Sequence, residues 1–158
     1  MSTAPVSSPQ DELRLSTTEL HAWRGMLRVH QQLMRSLDAQ VLAEHDLQVS
    51  SYEVLMFIAD SGDERLRMCD LADSVLLSRS GLTRLVDRLT KQGLVERESC
   101  DTDARGAFAI LTPKGREVLD AARATHLRGV RELFLTHFTE AEQEQRGTFW
   151  ERVLGAAG

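Results

Sequence analysis

The residues Leu20, Trp23, Leu27, His30, Met34, Leu37 and Val41 step along the chain alternately by three and four. That spacing is a heptad seam, and His30 is its one polar member. Ser16-Thr17-Thr18-Glu19 forms a capping box ahead of it, with Leu15 and Leu20 placed as a hydrophobic staple. A helix is predicted from there to about Glu44. It is long for a small domain, and such a helix usually packs against something outside its own domain, often a second copy.

A second capping box, Ser50-Ser51-Tyr52-Glu53 with Val49 and Val54 as staple, predicts a helix to about Asp60. Its apolar members are Val54, Leu55, Phe57 and Ile58, and Ser61-Gly62-Asp63 stops it. A short helix from Met68 to Val75 turns Leu71, Ala72 and Val75 inward, and Leu76-Leu77-Ser78 makes a turn. Ser78 caps the next helix, which runs to Gln92 with Gly93 in the position of a C-terminal cap. Leu94 to Glu98 and Ala107 to Leu111 alternate as two strands of a hairpin with a polar tip between them. Thr112-Pro113 opens a long helix to about His137. A third box, Thr139-Glu140-Ala141-Glu142, opens a last helix to about Leu154. No repeat and no interdomain linker interrupts this order.

Short helix, tight turn, helix, hairpin is the layout of a winged helix-turn-helix. In the helix from Ser78 to Gln92, Leu82, Leu85, Val86 and Leu89 fall on one stripe, at about 100° per residue. Ser80, Arg84, Asp87 and Lys91 fall opposite, Thr83 and Arg88 flank them, and Arg79 sits in the first turn. Four bases against one acid give this helix +3, in a chain of net charge −5. A solvated helix face would also fit an isolated basic helix. The neighbouring helix, turn and hairpin favour a duplex DNA contact. Helix N-terminal amides and the small hydroxyls of Ser78, Ser80 and Thr83 can approach phosphates, and Arg can grip a guanine edge. Arg105 at the hairpin tip can enter the minor groove. Asp103 would repel phosphate and is placed to orient Arg105 or cap the turn.

Composition adds boundaries. With 158 residues, 42% hydrophobic and 5% aromatic, the chain suits a single aliphatic, helix-on-helix core. No apolar run approaches the ~18 residues of a membrane span. Residues 1–15 are expected to form a disordered tail, and with no secretory signal the default address is the cytoplasm. Residues 16–45 and 113–155 are expected to form a helical dimerisation region around a DNA-binding lobe at 46–112. No nucleophile–base pairing, phosphate loop or HExxH motif suggests an enzyme, and no cofactor is required. An interaction module that has given up DNA would have an eroded basic face, whereas Arg79, Arg84, Arg88 and Arg105 are all present.

Leu71-Ala72, the run from Ser78 to Leu89, Gly93-Leu94-Val95-Glu96-Arg97, Asp103-Ala104-Arg105 and Leu111-Thr112-Pro113-Lys114-Gly115 together resemble the MarR family of bacterial regulators. The resemblance spans about Leu20 to Leu154. It implies a mainly α fold with a small β-wing, and N- and C-terminal helices that interlock as a homodimer. It places the helix from Ser78 in the major groove of double-stranded DNA and Arg105 in the minor groove. It further implies a repressor of a pseudo-palindromic operator, released by a small molecule, often phenolic, or by an oxidant. Gly81 departs from the family, which usually has a larger residue there, at a helix cost of roughly 1 kcal/mol against Ala.

A pocket between the dimer helices and the DNA-binding lobe is also implied. Trp23, Met26, Met34, Tyr52 and Met56 are its candidate lining, with an ordinary core role as the competing reading. Family peroxide sensors carry their cysteine near the start of the first long helix, where this chain has none. Cys69, at the start of the short helix, is expected to be a small core or boundary residue. Cys100 is expected in the wing, among Glu98, Asp101 and Asp103, whose charges oppose a thiolate. His21, His30, His45, His126 and His137 include no i, i+4 pair, and no residue is assigned to metal.

Overall fold

The computed structural model describes residues 14–75, 77–99 and 107–156. The expected tail through residue 13, Leu76 of the turn, and the wing tip with Cys100, Asp103 and Arg105 lie outside the described residues. Six α-helices and three strands follow the order α1 (Thr17–His45), α2 (Val49–Ala59), β1 (Arg65–Arg67), α3 (Met68–Ser74), α4 (Arg79–Lys91), β2 (Val95–Ser99), β3 (Ala107–Leu111), α5 (Pro113–Leu133) and α6 (Glu140–Ala156). The chain divides into two compact units, residues 1–35 and 36–158.

In the first unit, the predicted box closes the start of α1 reciprocally. The Glu19 amide donates to Ser16 Oγ at 3.2 Å, and the Ser16 amide donates to Glu19 Oε2 at 2.7 Å. The backbone amide of Ser16 holds the Glu19 carboxyl below its ordinary range. Along this stretch Trp23, Leu27 and Val29 are exposed, as is the seam residue His30.

The second unit holds the core. Its sheet runs β1-β3-β2, antiparallel throughout, with Leu66 opposite Ala109 and Arg97 opposite Ala109 from the other side. Strand β1 was not predicted: three residues with one apolar member are too few for an alternation to register. Leu37 and Val41 at the end of α1, Val54, Leu55 and Ile58 of α2, and Leu119 and Ala122 of α5 are all buried. Gly115 allows α5 to start flush against the sheet, because a Cβ there would collide with the carbonyl oxygen of Leu94. Gly129 does the same where α5 meets the end of α1, since a Cβ would lie 2.7 Å from Leu37 Cδ2.

The caps at Ser78, Thr112 and Thr139 form as predicted, and Gly93 ends α4 at φ 74°. The box at Ser50 does not form. Helix α2 begins two residues earlier than the box requires, at Val49, with Gln48 as an N-cap whose side chain makes no capping bond. The acceptor comes from the preceding helix instead, as the Val49 amide donates to Asp38 Oδ1 at 2.8 Å. Val49, expected outside the helix as half of a staple, is therefore buried in its first turn. Helix α5 also stops short of the predicted His137. The chain breaks at Phe134 and tightens into a 3₁₀ turn at Leu135–His137, where Phe134 meets Phe138 edge-on at 5.1 Å.

Candidate nucleic-acid interface

Helix α4 presents the two faces its sequence predicts. Leu82, Leu85, Val86 and Leu89 are buried, while Arg79, Ser80, Thr83, Arg84, Arg88 and Lys91 are exposed. Ser78 Oγ accepts from the Gly81 amide at 3.2 Å and lies 3.3 Å from Ser80 Oγ. Thr83 Oγ1 donates back to the Arg79 carbonyl at 2.9 Å, leaving its lone pairs outward. At the far end, Lys114 Nζ donates to the Gln92 carbonyl at 2.8 Å, a cation on the negative end of the helix.

The charged residues of this face have different commitments. Asp87, aligned by periodicity with Arg84 and Lys91, accepts from Arg97 of β2 at 2.7 Å. Arg88 donates to Gln48 Oε1 at 2.9 Å and reaches the buried Ser51 Oγ at 3.4 Å. Among the described residues, the side chains of Arg79, Arg84 and Lys91 have no hydrogen-bonded or ionic partner. Arg84 and Arg88 line a groove of about 350 Å³ with Ser50, Leu77, Gly81 and Leu85. Uncommitted guanidinium and ammonium groups on a helix edge, beside small hydroxyls, suit a polyanion. Arg97, Gln48 and Ser51 escaped sequence reading because their pairings with α4 are set by tertiary contact and not by helical period.

Beside α4, Arg65 and Arg67 of β1 bracket the Phe108 ring, with guanidinium carbons 3.9 and 5.2 Å from its centroid. Arg65 also pairs with Glu98 at 3.0 Å, tying β1 across β3 to β2.

The candidate pocket residues scatter in burial. Tyr52 is 2% exposed and stacks on His126, with ring centroids 4.5 Å apart. Burial pushes the Tyr52 hydroxyl up and the His126 imidazole down from their ordinary pKa values. Met56 and Met34 are half-buried, whereas Trp23 and Met26 are exposed in the single chain. Cys69 is exposed, not at a core boundary, and its thiol donates to Asp70 Oδ1 at 3.3 Å. It occupies an outer position of a helix of about two turns, of which only Leu71 is buried. Among the described residues, no group of three or more His, Cys, Asp or Glu could hold a metal ion, and no helix is long and apolar enough to cross a membrane.

Residues 45–106 match the model of the MarR family. Sco3205, a MarR family transcriptional regulator from Streptomyces coelicolor crystallised in complex with DNA, is 34% identical and superposes with a TM-score of 0.86 over 92% of this chain and 94% of its own. AbsC, a MarR family transcriptional regulator of the same organism, is 30% identical with a TM-score of 0.84, covering 91% of this chain and 97% of that one. The HTH-type transcriptional regulator MhqR of Bacillus subtilis is 29% identical over 110 residues, 70% of this chain and 74% of the relative. With a relative 34% identical over nearly its whole length, and with the same helix, turn, helix and wing strands, this chain belongs to the MarR family of transcriptional regulators.

Proposed function

We propose that this protein is a cytoplasmic homodimer that binds a pseudo-palindromic operator and represses transcription, and that a small molecule releases it. The observation that carries the DNA-binding part is the outward edge of α4, where Arg79, Arg84 and Lys91 stand without protein partners among the described residues beside Ser80 and Thr83. An acidic protein that concentrates its positive charge there focuses its field on one surface. The crystal structure of the relative Sco3205 with DNA supports the same assignment. In this reading Arg84 takes a base edge, Ser78, Ser80 and Thr83 meet phosphates, and Arg105 takes the minor groove.

The dimer is supported by apolar surface that one chain leaves uncovered, at Trp23, Leu27 and Val29 of α1 and at Phe149, Trp150, Val153 and Leu154 of α6. Two-fold symmetry then predicts half-sites about one helical turn apart. For the effector, the small, often phenolic molecule that the family resemblance implies remains part of the proposal, and Tyr52, one of its candidate contacts, is already packed on His126.

The test is fluorescence anisotropy with the duplex upstream of the protein's own gene, against an unrelated duplex, across a salt series. Preference of about 10³-fold or more, with a steep negative salt slope, is expected. Arg84→Ala and Arg105→Ala should each cost about 1–3 kcal/mol of operator binding. Two mutants that bind as wild type would remove these residues from the interface.

A further inference from the structure

At about 100° per residue, Ser80, Lys91 and Arg84 occupy an arc of about 40° on α4. Asp87 lies about 20° beyond Ser80 on one side, and Arg88 about 40° beyond Arg84 on the other. Each of these flanking residues is engaged by a different neighbour. Arg97 of β2 takes Asp87 at 2.7 Å, while Gln48, the N-cap of α2, and the buried Ser51 take Arg88. The stripe meant for DNA is thus bracketed by two directional contacts to protein.

We propose that Asp87 and Arg88 are positioning residues that pin α4 in rotation between β2 and α2, and that Arg88 keeps its protein partners when DNA is bound. The inference rests on the DNA-binding reading above. The buried Leu82, Leu85, Val86 and Leu89 hold α4 down and limit its rotation by close packing, and the two polar contacts fix its setting at the edges of the exposed stripe. A guanidinium fork and an ion pair are directional. Side chains at the roughly 5–6 Å radius of a helix surface shift by about 2 Å when the helix turns by about 20°, enough to break a base-edge hydrogen bond. Sequence discrimination by Arg84 therefore depends on two residues that touch no DNA. Arg88, which by charge and position alone belongs with the phosphate contacts, leaves that set.

The experiment uses a duplex selected by the wild-type protein from a random pool and a scrambled duplex of equal length. Binding to both is measured across a salt series, and melting curves show that each variant is folded. Arg88→Lys and Arg88→Met are each expected to lower the selected-to-scrambled ratio by about tenfold, the scale of one base contact. Arg88→Lys, which keeps the charge, leaves the affinity for the scrambled duplex and the salt slope unchanged, while Arg88→Met also weakens the scrambled duplex slightly through the lost positive charge. Gln48→Ala, which alters no charge, reproduces part of that loss and adds nothing to Arg88→Met, as expected for members of one contact. Asp87→Asn tightens the scrambled duplex by removing an acid, yet also lowers the ratio. A phosphate contact gives the opposite pattern and overturns the proposal. Arg88→Met would flatten the salt slope by about 0.9 and weaken both duplexes alike, Arg88→Lys would bind as wild type, and Gln48→Ala would be silent. If Arg88→Met does not fold, Arg88→Lys and Gln48→Ala decide between the two patterns. A wild type that selects no duplex brings down the DNA reading itself, and this inference with it.

Discussion

Helices α4 and α6 both carry large apolar side chains, but a single chain covers only those of α4. Leu82, Val86 and Leu89 of α4 are at most 1% exposed, whereas in α6 no residue is buried and Val153 and Leu154 are 61% and 72% exposed. The polar residues follow suit. Asp87 and Arg88 of α4 are held by Arg97 and Gln48, while in α6 Arg146 and Gln143 reach only the adjoining turn at Leu135–Phe138, and Arg152 lies over Phe149 of its own helix, 4.9 Å from the ring centroid. Phe149, Arg152, Val153 and Ala156 form one open face of the helix. Covering a large apolar side chain is worth about 1.5–3 kcal/mol, so α6 leaves several kcal/mol unclaimed. The difference teaches that α4 is finished by its own chain and ready to act outward. Helix α6 is unfinished and awaits a partner surface, which in the proposed dimer is a second copy.

The largest effect should come from breaking the unfinished side. Trp150→Asp puts a charge into the uncovered face and is expected to cost on the order of 2–4 kcal/mol of association, the scale of an interface hot spot. Sedimentation should then show monomer. A dimer of unchanged affinity would place the interface elsewhere. The finished side is broken most directly at Gly115, where a methyl group meets the backbone carbonyl of Leu94 and neither can turn away. Gly115→Ala should lower stability by about 2–3 kcal/mol in thermal or urea unfolding.

The elements around α4 were legible in the chain, and those that failed share a cause. Caps made within one turn, at Ser16, Ser78, Thr112 and Thr139, form as the local motif requires. The Ser50 box has the same local motif and loses to the Asp38 carboxylate, an acceptor from another helix that no local motif reveals. Burial along α4 follows from period alone. Which of its polar residues are spent does not, because Gln48, Ser51 and Arg97 reach it through the fold.

Acid should act within the second unit through His126. Burial lowers its imidazole pKa, and its Nδ1 is buried with no hydrogen-bond partner. The unfolded chain therefore binds a proton more readily than the folded one. The stability this contributes is present above the ordinary histidine range and is lost as pH falls through it. Glu53, whose carboxyl is pushed up by burial, acts in the opposite sense. Comparison with His126→Phe, which keeps the stack on Tyr52 and cannot titrate, isolates the histidine. The variant's stability should fall less than the wild type's between neutral and mildly acidic pH, and parallel curves would exclude His126 as the cause.

The smallest effect is expected at Gly81. An alanine there gains roughly 1 kcal/mol of helix propensity, but its Cβ comes within 3.1 Å of Ser78 Oγ and crowds the cap. The hydroxyl can shift slightly, so a net stabilisation below about 1 kcal/mol is expected in chemical unfolding. A clear loss would mean that the cap cannot yield.

Asp38 turns the corner between α1 and α2 into a mitred joint in place of a hinge. Its carboxylate holds the first amide of α2, and the corner residue Asp46 sits at φ 51°. A few residues further along, Thr125 of α5 donates to Glu44 at 2.7 Å and pairs with His45 at 2.8 Å. Opening the corner would strip a charge-assisted bond from a helix end that has no side-chain cap of its own. The last turns of α1 and the first turn of α2 therefore travel as one piece. Arg88 reaches Gln48 at that same first turn, so the corner borders the recognition helix through a single side-chain contact.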